Sequence, residues 1–283
     1  MTDLAAIRRD YARRMQAIAG VSSPRIEAAY ATVPREDFVG KGPWTLLGAA
    51  GYRASDDVDP AQLYQDVLVA LLPEKRINNG QPSGHFAWLA AADPRPGDHA
   101  VHIGAGTGYY TAILAELVGP EGRVTAIEYD AGLAARATQN LARYPNVTVI
   151  HGDGVTYPFD PADVVYVSAG APRPADNWLE RLKPGGRLVM PLTAIDTSIG
   201  GAAGGMFRFE PDDDGYAVRL VSPAAFIGCE GLADAASNAA LAAALRSGGA
   251  SRVCRLARGH DWPEELTWVR WPGWTLLLDA PLS

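Results

Sequence analysis

Three glycines stand at alternate positions, Gly104, Gly106 and Gly108, between the apolar run "HAVHI" and the segment "YYTAILAELV". Glycine lets a backbone turn sharply and approach a ligand closely, and the first amides of the following helix are free to bind that ligand. A simple strand-to-helix turn needs fewer glycines. The spacing therefore predicts that Gly104, Ala105, Gly106, Thr107 and Gly108 form a nucleotide-binding loop.

Two classes of ligand compete for such a loop. A dinucleotide fold favours the pattern G-x-G-x-x-G/A, because a small third residue lets the helix pack closely on the strand. Tyr109 stands at that third position and is too large for this packing. The register G-x-G-x-G indicates S-adenosylmethionine instead, a ligand without a pyrophosphate group.

Residues at the ends of the next two strands extend this prediction. Glu128, which precedes Tyr129, can accept hydrogen bonds from both ribose hydroxyls, a role that both ligand classes share. Asp153 is placed to receive the adenine amino group, with the Gly154 amide beside the ring. Asp153 also suits a helix cap or a turn. We expect Glu128, Tyr129, Asp153 and Gly154 to bind the methyl donor.

The tract "NNGQPSGH" (78–85) carries polar groups that suit a methyl acceptor. Asn78, Asn79 and Gln81 supply side-chain amide donors that can hold an oxyanion or a peptide carbonyl. A carboxylate acceptor needs no general base, whereas a hydroxyl or an amine usually does. His85 can act as that base or bind the substrate, and the simpler interpretation is a satisfied histidine at a helix start. Asn79 and Gly80 also fit an ordinary tight turn.

The elements that must position these groups follow from the pattern of apolar residues. Two helices are predicted within residues 1–33, the second capped near Ser22 or Ser23, and residues 40–75 read as irregular. From residue 98, strands interleave with helices of about 12 residues, which is typical of a doubly wound, mostly parallel sheet of the Rossmann-like type. After residue 195 come a glycine-rich linker, a hairpin turn at "DDDG", a helix and a closing strand pair, which indicate an antiparallel edge.

This pattern divides the chain into three predicted regions. Residues 1–75 form an N-terminal helical region, residues 76–195 a donor-binding α/β core, and residues 196–283 a C-terminal α+β extension that completes the sheet on the substrate side.

Composition limits the classes of function. The 283 residues carry a net charge of −7 and show no basic run, which argues against a nucleic-acid partner. No apolar run reaches the length of a membrane span, and two cysteines are too few for a disulfide framework, so we expect a cytoplasmic protein. His99 and His102 point to opposite faces of a strand, so no shared metal is expected.

Several segments together resemble the protein-L-isoaspartate O-methyltransferase family over most of the chain. They are "VPREDFVG" (33–40), "GQPSGHFAWL", "PRPGDHAVHIGAGTGYYTAILAELVG", "NVTVIHGDG", "VVYVSAGAPRPADNWLERLKPGGRLVMPLT" and "AAFIGCEGLAD". The resemblance implies a seven-stranded type of methyltransferase sheet, S-adenosyl-L-methionine as the donor, S-adenosyl-L-homocysteine as the product and a carboxylate as the acceptor.

The chain departs from the family pattern at two positions. His102 stands where the family usually has an acidic residue, and Gly80 stands where it has a serine beside the transferred methyl group. Ser83 is a candidate to replace that serine. We therefore expect a carboxylate of a peptide or small metabolite as the acceptor, in place of standard isoaspartyl repair. The alternatives are a hydroxyl or RNA-base acceptor, or an inactive donor-binding protein, and the chain is expected to be a monomer or a homodimer.

Overall fold

The structure is a computed structural model that describes residues 3–48, 51–196, 201–232 and 234–281. The chain divides into two compact units. The first contains residues 1–100 and 105–152, and the second contains residues 101–104 and 153–283. The predicted region boundaries at residues 75 and 195 stay predictions.

The first unit begins with three helices, α1 (Leu4–Ala19), α2 (Pro24–Thr32) and α3 (Glu36–Val39). The side chain of Ser23 accepts a hydrogen bond from the Ile26 amide, and Pro24 occupies the first helical position, where its missing N–H costs nothing. The predicted start of the second helix is therefore confirmed.

Residues 40–75 are not irregular, so that prediction is wrong. They contain β1 (Thr45–Gly48), β2 (Gly51–Ala54) and β3 (Leu68–Leu72), and together with β4 (Ile77–Asn78) these strands form an antiparallel sheet in the order β2-β1-β3-β4. Strands of two to five residues are too short to show a period-two pattern. Their burial comes from tertiary packing, in which Leu46 and Val69 join one apolar cluster with Trp44.

The rest of the first unit follows the predicted alternation. Its helices are α4 (Pro82–Ala92), α5 (Tyr109–Val118) and α6 (Ala131–Asn140). Its strands lie in the order β5-β6-β7, and they comprise the start of β5 (His99–Ile103), all of β6 (Arg123–Glu128) and all of β7 (Val147–His151). Strands β6 and β7 pair in parallel. Because α5 and α6 connect successive strands, the carboxyl ends of β5 and β6 carry the predicted donor-binding residues.

The second unit contains the end of β5 and the C-terminal strands and helices. These are β8 (Ala162–Val167), α7 (Asp176–Glu180), β9 (Leu182–Asp196), β10 (Gly201–Asp212), β11 (Gly215–Pro223), α8 (Ala235–Ser247), β12 (Val253–Arg258), β13 (Thr267–Trp271) and β14 (Trp274–Leu278). The strand order is β13-β14-β12-β11-β10-β9-β8-β5, in which β8 and β9 pair in parallel and all pairs from β9 to β13 are antiparallel.

The hairpin predicted at "DDDG" is confirmed, since β10 and β11 pair across it from Asp212 to Gly215. The predicted glycine-rich linker is wrong for residues 201–205, which belong to β10. Its residues 197–200 lie outside the described residues. A Cβ atom on Gly204 would lie 2.0 Å from the carbonyl oxygen of Leu192 in β9. Gly204 therefore allows β9 and β10 to approach closely, although its glycine-rich surroundings look like a linker in the sequence.

Candidate functional site

The first unit holds most of the glycine loop, from Ala105 to Gly108. Gly106 and Gly108 both have positive φ angles, +58° and +96°. The Gly106 amide donates to a carboxylate oxygen of Glu128 at 2.7 Å, and the Asp130 amide donates to the other oxygen at 2.9 Å. The Glu128 side chain thus joins the loop after β5 to the turn after β6.

Glu128 is buried, and this burial raises the pKa of its carboxyl group. The amide donors of Asp130 and Gly106 act in the opposite direction by stabilising the charged form. Each carboxylate oxygen accepts one of these amides and keeps a second lone pair for a ligand hydroxyl. Tyr129, the next residue, is 57% exposed, so its ring is accessible from solvent.

Two features of the loop fit a bound nucleoside. A Cβ atom on Gly106 would have one neighbour within 4 Å, a methyl of Leu71 at 3.6 Å, so the space beside this residue is largely open. The buried hydroxyl of Thr107 has no hydrogen-bond partner among the described residues. A buried polar group without a partner costs free energy, and a polar ligand would remove that cost.

The second unit holds Gly104 and His102. Gly104 has a φ of +74°, and a Cβ atom there would lie 3.4 Å from the Ser168 backbone. The Nε2 atom of His102 lies 3.0 Å from the hydroxyl oxygen of Ser168 and forms a hydrogen bond with it. Burial lowers the pKa of His102 to about 3, so the imidazole is neutral at pH 7.

Asp153 and Gly154 also belong to the second unit. The Asp153 carboxylate accepts a hydrogen bond from the Val155 amide at 2.9 Å, which is the turn role that the sequence also allowed. Gly154 packs on Ile103, where a Cβ atom would approach a methyl to 2.5 Å, and its carbonyl accepts from the Trp178 indole at 2.7 Å. The assignment of Asp153 to adenine stays a prediction.

In the first unit, the acceptor tract is organised around Gly80. This glycine has a φ of +75°, and a Cβ atom on it would lie 2.3 Å from Nε2 of His85. The His85 ring stacks on Tyr110 with centroids 3.5 Å apart and meets Trp88 edge-on. The imidazole therefore occupies the space into which a side chain at residue 80 would point.

Asp66 holds the beginning of α4 and was not anticipated from the sequence. Its carboxylate accepts hydrogen bonds from the side-chain amide of Gln81 at 2.8 Å, from the backbone amide of Ser83 at 2.9 Å and from the Ser83 hydroxyl at 2.7 Å. Two predicted acceptor residues therefore contact Asp66. No local pattern could have identified it, because 15 and 17 residues separate it from Gln81 and Ser83.

Arg35 is the second unanticipated residue. Its guanidinium is fully buried and donates to Oδ1 of Asn79 at 2.8 Å. The only sequence signal was its place in the quoted segment "VPREDFVG". Asn79, Gln81, Ser83 and His85 are already close in the sequence, and the structure adds that Arg35 holds the first and Asp66 holds the second and third.

Among the described residues there is no group of three His, Cys, Asp or Glu side chains that could hold a metal ion. The described helices are likewise too short or too polar to cross a membrane.

A strand, a glycine loop, a helix and an acid at the end of the next strand form a nucleotide site that dinucleotide-binding proteins and S-adenosylmethionine-dependent methyltransferases share, and the G-x-G-x-G register followed by Tyr109 favours the class of methyltransferases. Solved structures agree on the fold. A protein-L-isoaspartate O-methyltransferase superposes with a TM-score of 0.66 at 22% identity, covering 96% of this chain and 88% of the other. A beta-aspartate methyltransferase structure from Plasmodium falciparum, in complex with S-adenosyl-L-homocysteine, superposes with a TM-score of 0.60 at 15% identity, covering 79% of this chain and 98% of the other.

Sequence relatives narrow the class. The family model of protein-L-isoaspartate(D-aspartate) O-methyltransferase matches residues 62–217, more than half of the chain. Proteins named protein-L-isoaspartate O-methyltransferase are 35% identical in Methanopyrus kandleri and 42% identical in Aeropyrum pernix. Each match covers 63% of this chain, with 74% of the first relative and 64% of the second.

The chain belongs to the protein-L-isoaspartate(D-aspartate) O-methyltransferase family. It is an S-adenosylmethionine-dependent methyltransferase that acts on a carboxyl group. The expected fold class and methyl donor are thereby confirmed.

Proposed function

We propose that the enzyme methylates the free carboxylate of an L-isoaspartyl residue in a peptide. The names of the relatives support this acceptor, and they lend no support to an RNA base, a hydroxyl or an inactive protein. The observation that carries the proposal is the side-chain amide of Asn79. Its Nδ2 atom is buried beside Gly80 and has no hydrogen-bond partner among the described residues, as expected of a donor that awaits a carboxylate or a carbonyl.

For the methyl donor, the proposed contacts are the predicted ones. In the first unit they are Ala105, Gly106, Thr107, Gly108, Glu128 and Tyr129, and in the second unit they are Gly104, Asp153 and Gly154. The open space beside Gly106 and the unpartnered Thr107 hydroxyl support the loop assignment. The carboxylate of Glu128 is held in place by two amides and can accept a ribose hydroxyl.

When bound, S-adenosylmethionine supplies a methyl group on a positively charged sulfur, and transfer to a carboxylate oxygen leaves S-adenosyl-L-homocysteine and a methyl ester without a proton transfer. The chain's own residues therefore have to orient and desolvate the acceptor. Asn79 and His85 are proposed to hold the acceptor. Gln81 and Ser83 are proposed to line the entrance to the acceptor site, where their hydrogen bonds to Asp66 hold them in place.

A second acceptor is favoured by one observation, the close approach of His85 to Gly80. A serine hydroxyl cannot occupy that space, so the tract can have been refitted to a different carboxylate of a peptide or a small metabolite. In that case the preferred carboxylate would react at least about tenfold faster than an isoaspartyl peptide, as expected for one hydrogen bond worth roughly 1.4 kcal/mol.

The experiment is a transfer assay with methyl-labelled donor against matched acceptors. They are an isoaspartyl peptide, the same peptide with a normal aspartyl residue, and a set of small carboxylic acids. Base-labile label on the isoaspartyl peptide alone supports the proposal. Faster labelling of a small acid would establish the second acceptor, and no labelling of any carboxylate would overturn both. The oligomeric state and the cytoplasmic location stay predictions.

A further inference from the structure

Arg35 is a buried cation that has no carboxylate partner among the described residues. Its Nη1 atom donates to the carbonyl oxygens of Leu63 at 2.6 Å and Gln65 at 3.2 Å, and Nη2 donates to that of Val67 at 2.6 Å. The fourth hydrogen bond goes to Asn79. Burying a cation among neutral oxygens is costly, so this arrangement calls for a compensating use of the positive charge.

The contact with Arg35 fixes the orientation of the Asn79 amide. A guanidinium has only donors, so the atom that lies 2.8 Å from Nη2 must be the oxygen Oδ1. The Asn79 backbone is held as well, because its amide donates to the carbonyl oxygen of Val69 at 2.9 Å. The buried nitrogen Nδ2 is left as the group that faces away from Arg35, and it has no partner among the described residues.

The same guanidinium also supports the other side of Gly80. Gln65 and Val67, whose carbonyl oxygens it binds, are the two neighbours of Asp66. Asp66 in turn holds Gln81 and Ser83 at the start of α4. Arg35 therefore acts on the acceptor tract along two routes, directly through Asn79 and indirectly through Asp66.

We propose that Arg35 is the positioning residue of the acceptor site and that Asn79 is a specificity-determining donor, oriented by Arg35 to bind the anionic acceptor through Nδ2. This inference rests on the proposed function, since it assumes a carboxylate acceptor. A cation bonded to the amide oxygen polarises the amide and strengthens its N–H as a donor. The positive charge also favours an anion on the far side of the amide, while Arg35 itself stays out of reach of the substrate.

The decisive variant is Asn79→Asp. An aspartate keeps the oxygen that Arg35 binds but replaces the N–H donor with a second anionic oxygen, which repels a carboxylate. The acceptor KM should rise at least about 100-fold, corresponding to a lost charge-assisted hydrogen bond plus repulsion. The midpoint of thermal unfolding should not fall, and the affinity for S-adenosyl-L-homocysteine, measured by calorimetry, should stay within about twofold.

Asn78→Asp is the matched control, because it adds the same charge one residue away. The sequence also offered Asn78 as an amide donor, but its Nδ2 atom donates to the Arg76 carbonyl at 3.4 Å and therefore has a partner within the chain. Its Oδ1 atom accepts a hydrogen bond from the Gly80 amide, which an aspartate retains. We expect its acceptor KM to change by less than about fivefold. Equal effects of the two substitutions would show a general charge effect and would overturn the role of Asn79.

Arg35→Lys tests the positioning role, because one ammonium cannot replace four hydrogen bonds in this geometry. It should raise the acceptor KM about 10- to 100-fold well below its unfolding temperature, with a smaller change in kcat. The double variant with Asn79→Asp should resemble Asn79→Asp alone, because both changes act through one contact. An unchanged acceptor KM, or fully additive effects, would overturn the proposal.

Should Arg35→Lys fail to fold, Asn79→Ala compared with Asn79→Asp decides. Alanine should lower both stability and acceptor affinity, whereas aspartate should lower acceptor affinity alone. A wild-type enzyme that methylates the peptide while Asn79→Asp is equally active would overturn this inference and leave the proposed function standing. A wild-type protein that neither methylates nor binds the peptide would overturn the proposed function, and this inference with it.

Discussion

The donor loop and the acceptor tract both depend on a glycine with a positive φ angle, but the two glycines have opposite surroundings. Gly106 in the donor loop faces open space, with one methyl at 3.6 Å, and its amide is held by Glu128. Gly80 in the acceptor tract faces the imidazole of His85, which would lie 2.3 Å from an added Cβ atom. The first glycine leaves room for a ligand, whereas the second leaves room for another side chain of the same protein.

One of the two glycines, Gly80, is also one of the two positions at which the chain departs from the family pattern that it resembles. The donor loop keeps the glycine register and its acid, so it follows the common pattern. In the acceptor tract, Gly80 stands at the position of the family's serine, and the imidazole of His85 fills the space beside it. A serine introduced at residue 80 would overlap the imidazole of His85, so it fits only if that ring moves.

The largest expected effect comes from Gly80→Ala. The backbone strain of a positive φ angle and the overlap with His85 should together lower the free energy of unfolding by roughly 2–5 kcal/mol. Urea titration of the purified variant measures this loss. Gly106→Ala is the matched control, with strain of about 1–2 kcal/mol and no overlap. Equal losses in the two variants would remove the contrast between the two regions.

Glu128→Ala should break the donor side alone. Loss of the carboxylate should weaken S-adenosyl-L-homocysteine binding by roughly 1.5–3 kcal/mol, the range for hydrogen bonds to a charged group. Calorimetry provides the measurement, and the exposed Glu121, replaced by alanine, is the control for a lost negative charge. An unaltered affinity in Glu128→Ala would contradict the assignment of this residue to the ribose.

His102 sharpens the comparison, because it is the second departure from the family pattern and lies two residues before Gly104. Its folded pKa of about 3 lies below the unfolded value of about 6.5, so the unfolded chain takes up a proton that the folded protein refuses. The contribution of His102 to the free energy of unfolding should therefore be fully present above pH 6.5. Below pH 6.5 it should fall by roughly 1.4 kcal/mol per pH unit, which amounts to about 2 kcal/mol at pH 5. His102→Gln, which cannot titrate, should lose this part of the pH dependence. A stability profile that is identical in the two proteins would refute a neutral buried His102.

The placement of the glycine loop and of Glu128 on their elements was predictable from the sequence, because the information is local. The glycines lie between a strand and a helix that the apolar pattern reveals, and Glu128 ends the next strand. The sheet formed within residues 45–78 was missed, because strands of two to five residues carry too little pattern and depend on packing against distant segments.

The acceptor tract shows why the rest could not be predicted. The tract itself was visible as a cluster of amides, but the residues that hold it come from elsewhere in the chain. Arg35 reaches Asn79 across 44 residues, and the approach of His85 to Gly80 depends on how α4 begins. Such contacts arise from tertiary folding and leave no periodic signal in one sequence.

The most direct test of the central claim is the ratio of kcat/KM for an isoaspartyl peptide to that for the same peptide with a normal aspartyl residue. An acceptor site that positions one carboxylate by an oriented amide should reject the isomer, and we predict a ratio of at least about 100. Asn79→Asp should lose most of the kcat/KM for the isoaspartyl peptide. A wild-type ratio near one would contradict the account, because it would show that the tract from Asn79 to His85 does not select the acceptor.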